Sequence, residues 1–276
     1  MKILVTGGTG FIGTHLVNKL IELGHSVTVI SNTEGKSKNK KAKYVKGDIT
    51  SEKDVENAMI GCNIVFHLAS LVDVRNVDTE EMFKANFIGA KNVFEAARKN
   101  KCKIIFTSTA AVYGDVYSAK EDERCKPISD YGRTKLEAEK ILDKNSFIVR
   151  LFNVYGPGGK GAVDLFCQNI MKNKPVNIYG DGLQTRDFVY VSDVVDALIL
   201  GIKCNGIYNV GSGTEITIKE LIERIEKISG KRAKINYLPE NVQEIKNSKA
   251  DIKKIKKLGW KPRVSLEEGI KNIIKK

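Results

Sequence analysis

The chain has 276 residues, 42% hydrophobic and 29% charged, a balance ordinary for a soluble globular protein and long enough for one large domain or a domain with a smaller partner. Its formal net charge of +13 and pI near 9.4 raise nucleic-acid binding. The lysines, however, are spread along the chain with no recognition motif, so no nucleic-acid partner is expected. The five cysteines (Cys62, Cys102, Cys125, Cys167, Cys204) are scattered and odd in number, which argues against a disulfide framework or a zinc site.

MKILVTGG enters a strand pattern at once, which leaves no room for a cleavable signal peptide. No apolar run approaches the roughly 18 residues that span a membrane. A cytoplasmic protein without a membrane partner is expected.

From the amino terminus, Ile3, Leu4 and Val5 read as a buried parallel strand. A G-x-x-G-x-x-G turn follows, with Gly7, Gly10 and Gly13. Phe11, Ile12, Leu16, Leu20 and Leu23 then recur at helical spacing until Gly24. Glycines between a strand and a helix let the backbone approach a pyrophosphate seated on the helix N-terminus.

Further strand-like runs lie at 26–30, 63–70, 103–114 and 147–156, with a helical pattern at 80–100. Strands alternating with helices predict an α/β fold, a doubly wound parallel Rossmann sheet, with ligands at the carboxyl ends of its strands. Thr107, Ser108 and Thr109 fall at that rim. In DYGRTKLE (130–137), Tyr131 and Lys135 share one helical face, where a cation would lower a tyrosine pKa that is normally about 10. By itself that spacing is common in helices.

Residues 156–182 read as a glycine-rich loop, a helix and a strand, and 216–239 as a helix and a strand. KADIKKIKKLGWK (249–261) reads as an amphipathic helix with Ile252, Ile255 and Leu258 inward and its lysines solvated. The expected division is a dinucleotide-binding domain over 1–155, to which 183–211 return. A smaller C-terminal substrate-binding domain would comprise 156–182 and 212–276. His15, His25 and His67 are too scattered for a metal site or a Ser/His/Asp arrangement, and no metal is expected.

Ordered motifs run through nearly the whole chain: TGGTGFIG (6–13), GDI (47–49), HLAS (67–70), ANFIGAKNVFEAAR (85–98), TSTAAVYG (107–114), YGRTK (131–135), RLFNVYGPG (150–158), IYGDGLQTRDFVYVSDVVDA (178–197) and LGWKP (258–262). In that order they resemble the extended short-chain dehydrogenase/reductases, the NAD-dependent epimerase/dehydratase group that acts on nucleotide sugars.

The resemblance implies Tyr131 as acid–base, Lys135 as its pKa-lowering partner and ribose ligand, and Thr109 as the hydroxyl that grips the reacting oxygen. It implies a cofactor site of Gly7, Gly10, Phe11, Ile12, Gly13, Ser31, Asn32, Asp48, Ile49, Leu68, Ala69, Ser70, Asn86 and Thr107, together with Tyr131 and Lys135. Asp48 and Ile49 would meet the adenine, and Asn86 would support the site. Asn153 and Arg186 would hold the substrate diphosphate, Ile178 and Tyr179 would lie near the base, and Ser248 beside the sugar's C2 substituent. For Tyr179, packing is an equal alternative.

Four departures from the family pattern bear on function. Ser31 stands where NAD-preferring relatives usually carry Asp, and with Lys36 and Lys38 nearby this leaves NADP open beside NAD. Ala110 and Ala111 supply no second acid in the catalytic strand, which argues against 4,6-dehydration and decarboxylation. Asn241, ahead of Glu244, replaces a usual second arginine. EKILDKNSFIVR (139–150) is short. The expectation is a nucleotide-sugar 4-epimerase acting on a UDP-hexose, possibly also a UDP-N-acetylhexosamine, with bound NAD, as a homodimer. The alternatives are an NADPH-dependent 4-keto-sugar reductase and a non-catalytic dinucleotide sensor.

Overall fold

The computed structural model describes residues 1–33, 39–72, 78–239 and 245–275. Lys36, Lys38, Asn241 and Glu244 lie outside the described residues.

In chain order the first elements are β1 (Lys2–Thr6), α1 (Phe11–Glu22), β2 (Ser26–Ser31), β3 (Lys43–Lys46), α2 (Glu52–Met59) and β4 (Ile64–His67). Next come α3 (Thr79–Phe83), a π-helical turn (Lys84–Ile88), α4 (Gly89–Lys99), β5 (Lys103–Thr109), a 3-10 turn (Ala110–Val112), β6 (Val116–Ala119), α5 (Asp130–Lys140), β7 (Phe147–Leu151) and β8 (Asn153–Tyr155). The remainder is α6 (Ala162–Met171), β9 (Pro175–Tyr179), β10 (Thr185–Arg186), β11 (Phe188–Tyr190), α7 (Val191–Leu200), β12 (Gly206–Val210), β13 (Ile216–Thr217), α8 (Ile218–Ser229), β14 (Lys234–Leu238), β15 (Ser248–Ala250), α9 (Lys253–Lys256) and α10 (Leu266–Ile274).

The chain divides into two units. The first comprises 1–112, 125–150 and 195–208. Its sheet has seven strands in the order β12-β7-β5-β4-β1-β2-β3, and the β1–β2, β1–β4, β2–β3 and β4–β5 pairs are parallel. Strand order reverses at β1, between β2 and β4, which is the switch point where doubly wound sheets open a crevice. β4 is buried along its whole length and β1 along all but its first residue, because helices cover such sheets on both faces. One core cluster packs Leu4, Val65 and Phe106 of the strands against Val55, Val93 and Phe94 of α2 and α4.

The second unit comprises 113–124, 151–194 and 209–276. α8 carries a full capping box: Thr217 accepts from the Glu220 N–H, and Glu220 reaches back to the Thr217 N–H. Its buried face (Ile218, Leu221, Ile222, Ile225) packs with Phe166 and Ile170 of α6, Ile178 of β9 and Ile270 of α10. Small two-stranded sheets pair β14 with β9 and β8 with β11 in parallel, β10 with β13 antiparallel, and β15 with β6 in parallel.

The helix expected over 249–261 is corrected. Residues 248–250 form β15, and only Lys253–Lys256 are helical. Ile252 and Ile255 are buried as the spacing implied, but Ala250 is drawn into a strand whose N–H donates to Asp187 at 3.0 Å. That tertiary hydrogen bond outweighs local helical periodicity.

Candidate active site

The glycine turn is built by close approach. Gly7 has φ +69, and a Cβ there would lie 2.6 Å from the Ala69 nitrogen at the end of β4. A Cβ on Gly13 would lie 2.1 Å from the Gly7 carbonyl oxygen, so α1 packs directly onto the turn. α1 begins after Gly10 with no side-chain cap and no acidic residue in its first turn. Its first N–H groups and the positive end of its dipole therefore remain available to an anion. A narrow cradle that any Cβ would fill, at an uncapped helix N-terminus, fits the pyrophosphate of a dinucleotide. Phe11 and Ile12 open this helix and are half-buried.

Ser31 ends β2. Its hydroxyl lies 3.0 Å from the Thr9 hydroxyl and donates to the Thr33 carbonyl at 2.9 Å. Asn32 donates to Asp48 at 3.1 Å, and Asp48 also accepts from the Thr50 N–H and hydroxyl, both at 2.8 Å. Burial works against its ionisation, yet these bonds prevail and hold its carboxyl below the usual range. Ile49 packs tightly on α4, where a Cβ on Gly89 would lie 2.7 Å from its Cδ1.

At the ends of β4 and β5, His67 lies buried with Nδ1 2.7 Å from the Thr6 hydroxyl, and burial drives its pKa well below the ordinary value. Thr6 also accepts from the Ala69 N–H at 3.2 Å, the Leu68 N–H donates to the Thr6 carbonyl, and Thr107 donates to the His67 carbonyl at 3.1 Å. Ser108 is buried with no partner for its hydroxyl among the described residues.

Asn86 sits in the π-helical turn, a geometry that often marks functional sites. Its Oδ1 accepts from Ser70 at 2.9 Å and from the Leu71 N–H at 2.7 Å, while Nδ2 donates to the Leu71 carbonyl and to Thr134 at 3.3 Å. Thr134 in turn donates to the Tyr131 carbonyl at 3.0 Å. α5 starts cleanly because Ser129 caps it, accepting from the Gly132 N–H. A Cβ on Gly132 would sit 2.5 Å from the Ala111 carbonyl oxygen, so the helix is pressed against the 3-10 turn that follows β5.

The Tyr131 hydroxyl accordingly meets Thr109 and Ser70. Burial raises its pKa, and those two hydroxyls partly oppose the rise. Lys135 is fully buried, with Nζ 4.2 Å from the Phe106 ring centroid, and burial pulls its pKa down to about 7. The electrostatics are thus set by burial first, where the sequence suggested the lysine's charge. The Ser70 contact was invisible in the sequence because it depends on how β4 ends against α5.

In the second unit, Asp187, which sequence reasoning did not single out, ties Asn153 to the segments that carry Ser212, Gly213 and Ala250. The Asn153 N–H donates to the Asp187 carbonyl at 2.9 Å. The Asp187 carboxylate accepts from the Ser212 N–H and hydroxyl and from the Gly213 and Ala250 N–H groups, at 2.6 to 3.0 Å. Arg186 is half-buried and donates to the Thr185 carbonyl at 2.8 Å. Ser248 is buried at the start of β15. Ile178 lies within the unit's core, and Tyr179 at the end of β9 is half-buried.

A doubly wound sheet with a glycine cradle at one strand end and a Tyr-x-x-x-Lys helix with a buried lysine at another defines a dinucleotide-binding Rossmann-fold enzyme. The NAD dependent epimerase/dehydratase family model matches residues 3–211, and the chain belongs to that family. It is 36% identical over 296 residues to a putative UDP-glucose 4-epimerase of Methanocaldococcus jannaschii, covering 99% of this chain and 97% of that protein. It is 33% identical to a UDP-N-acetyl-alpha-D-glucosaminuronate decarboxylase of Bacillus cytotoxicus, over 99% of this chain and 96% of that protein. The crystal structure of a Thermus thermophilus UDP-glucose 4-epimerase in complex with NAD superposes with a TM-score of 0.94 at 31% identity, covering 100% of this chain and 98% of that one. The reductase alternative has no support among these relatives.

Proposed function

We propose that this chain is a UDP-sugar 4-epimerase working with NAD. The observation that carries the reading is the Tyr131 hydroxyl set between Thr109 and Ser70, on a helix that also buries Lys135, in a chain similar along its whole length to 4-epimerases. NAD, when bound, reversibly takes up the hydrogen and electron pair from C4 of the sugar. Gly7, Gly10 and Gly13 would hold its pyrophosphate, with Phe11, Ile12, Ser31, Asn32, Asp48, Ile49, Leu68, Ala69, Ser70, Asn86 and Thr107 completing the site.

Tyr131 removes the proton from the 4-hydroxyl and returns it after the 4-keto sugar has turned over. Thr109 holds the sugar oxygen, and protonated Lys135 stabilises the phenolate. Asn153 and Arg186 bind the diphosphate, Arg186 by the bidentate geometry that suits guanidinium to phosphate. Tyr179 lies on the base side, Ile178 being held in the core behind it rather than at the base, and Ser248 faces the C2 substituent. Ala110 and Ala111 leave no second acid for dehydration or decarboxylation.

The first unit binds the dinucleotide and the second the sugar nucleotide. A homodimer belongs to the same reading. The absence of a membrane-spanning helix among the described residues is compatible with a cytoplasmic location.

The test is to denature the purified protein, identify the released dinucleotide by mass spectrometry, and assay UDP-glucose for conversion to UDP-galactose. Released NAD with interconversion is expected. Oxidation or reduction of added cofactor in stoichiometric amounts, without interconversion, would overturn the reading.

A further inference from the structure

Tyr131, Lys135 and Glu139 occupy positions i, i+4 and i+8 of α5, which stacks them along one face. Glu139 is buried and clamped by Arg150 of β7. The arginine Nε donates to both carboxylate oxygens at 3.0 and 3.2 Å, and Nη2 donates to Oε2 at 2.6 Å. Both side chains are about 5% exposed or less. Such a pair is a poor stability device, because desolvating two charges commonly cancels their attraction and a well-packed apolar pair would serve as well. Its place one turn beyond Lys135 gives it another use.

Among the described residues, the lysine's surroundings are otherwise uncharged or repulsive. Phe106 of β5 faces its Nζ, and His67 of β4 lies in the same interior, its pKa lowered by burial and by the lysine. On α5 itself Tyr131 is held below its ionisation by burial. From the segment before α5, Cys125 senses Arg150 and Glu139, and burial raises its thiol pKa. The charged residues of α3 and the π-helical turn (Glu80, Glu81, Lys84) are exposed. Burial drags Lys135 toward neutrality, and the opposing charge acting on it is Glu139.

We propose that Glu139, fixed by Arg150, is a positioning residue that keeps Lys135 protonated in the Tyr131 site. This rests on the reading of Lys135 as part of the reacting site.

The experiment compares wild type, Glu139→Gln and the double variant Glu139→Gln/Arg150→Met, which removes both buried charges and so preserves the fold if the single variant does not. The Lys135 side chain is titrated by NMR in the protein without added ligand, its signal assigned by loss in Lys135→Met. The midpoint should fall by about one unit or more in Glu139→Gln, the usual scale for losing a nearby opposite charge, and by less in the double variant, where losing Arg150 also removes a repelling charge. The alkaline limb of kcat/KM for UDP-glucose should move down with it. A wild-type midpoint and wild-type pH profile in Glu139→Gln, or in the double variant where the single one does not fold, would show that Glu139 merely satisfies Arg150, and would overturn the proposal. Should wild type fail to epimerise any UDP-hexose, the functional reading falls, and the NMR titration still decides what Glu139 does.

Discussion

Tyr131 sits where burial disfavours its phenolate, so the hydroxyls of Thr109 and Ser70 and the charge on Lys135 must supply what water would. Tyr131→Phe should therefore keep fold and NAD binding while losing at least roughly 10²-fold in kcat, the scale of a positioned acid–base. Activity within a few-fold of wild type would remove Tyr131 from the mechanism. Lys135 can be tested through stability. Its folded pKa, about 7, lies below the ordinary 10.5, so unfolded chains bind more protons between those values. The protein without cofactor should gain stability as pH rises from about 7 to about 10.5, and lose that contribution fully below 7. Lys135→Met should abolish this rise, a difference of a few kcal/mol at most, read by urea midpoints across the pH range. Equal slopes in both proteins would contradict a buried lysine whose pKa is lowered to about 7. At Ser248 the argument is volume: a small buried residue beside C2 would admit an acetamido group, and overpacking costs about 1–3 kcal/mol. Wild type should turn over UDP-glucose and UDP-N-acetylglucosamine, with Ser248→Tyr losing only the latter; rejection of the N-acetyl sugar by wild type would refute the placement.

At the scale of elements, the strand–glycine–helix junction of β1 and α1 was legible because its chemistry is local: an apolar run, glycines at fixed spacing and a 3.6-residue period. Gly13 is its tightest point. Gly13→Ala would push a methyl to 2.1 Å from the Gly7 carbonyl, which the backbone can relieve only by parting α1 from the turn. Dinucleotide affinity, measured by calorimetry, should fall by at least about ten-fold, corresponding to the 1–3 kcal/mol of an overpacked contact; an unchanged affinity would mean that the cradle is not the pyrophosphate site. The segment 249–261 shows the opposite case. Its helical spacing was real, and Ile252 and Ile255 are buried, but Asp187 and β6 claim residues 248–250 for a strand and leave a single helical turn. The π-helical turn at Asn86 likewise has no sequence signature, since it arises where Asn86 bonds Ser70 and Leu71.

For the whole molecule, a ligand that binds only the folded state raises its stability by mass action. NAD at about a hundred times its Kd should raise Tm by about 5 °C or more, from roughly 2.7 kcal/mol spread over a chain of this size. NADP should shift Tm less, in keeping with the assignment of NAD. A larger shift with NADP would reverse the cofactor assignment. The amino-acid sequence by itself determined the alternating α/β order, the glycine turn, the Tyr131–Lys135 spacing and the family, because each is written in local periodicity or in motifs of fixed order. Tertiary structure alone decided that burial governs the ionisation of Tyr131 and Lys135, that Ser70 reaches the tyrosine, and that Asp187 ties Asn153 to Ser212, Gly213 and Ala250. Those facts depend on which distant segments meet, and on how little water remains between them.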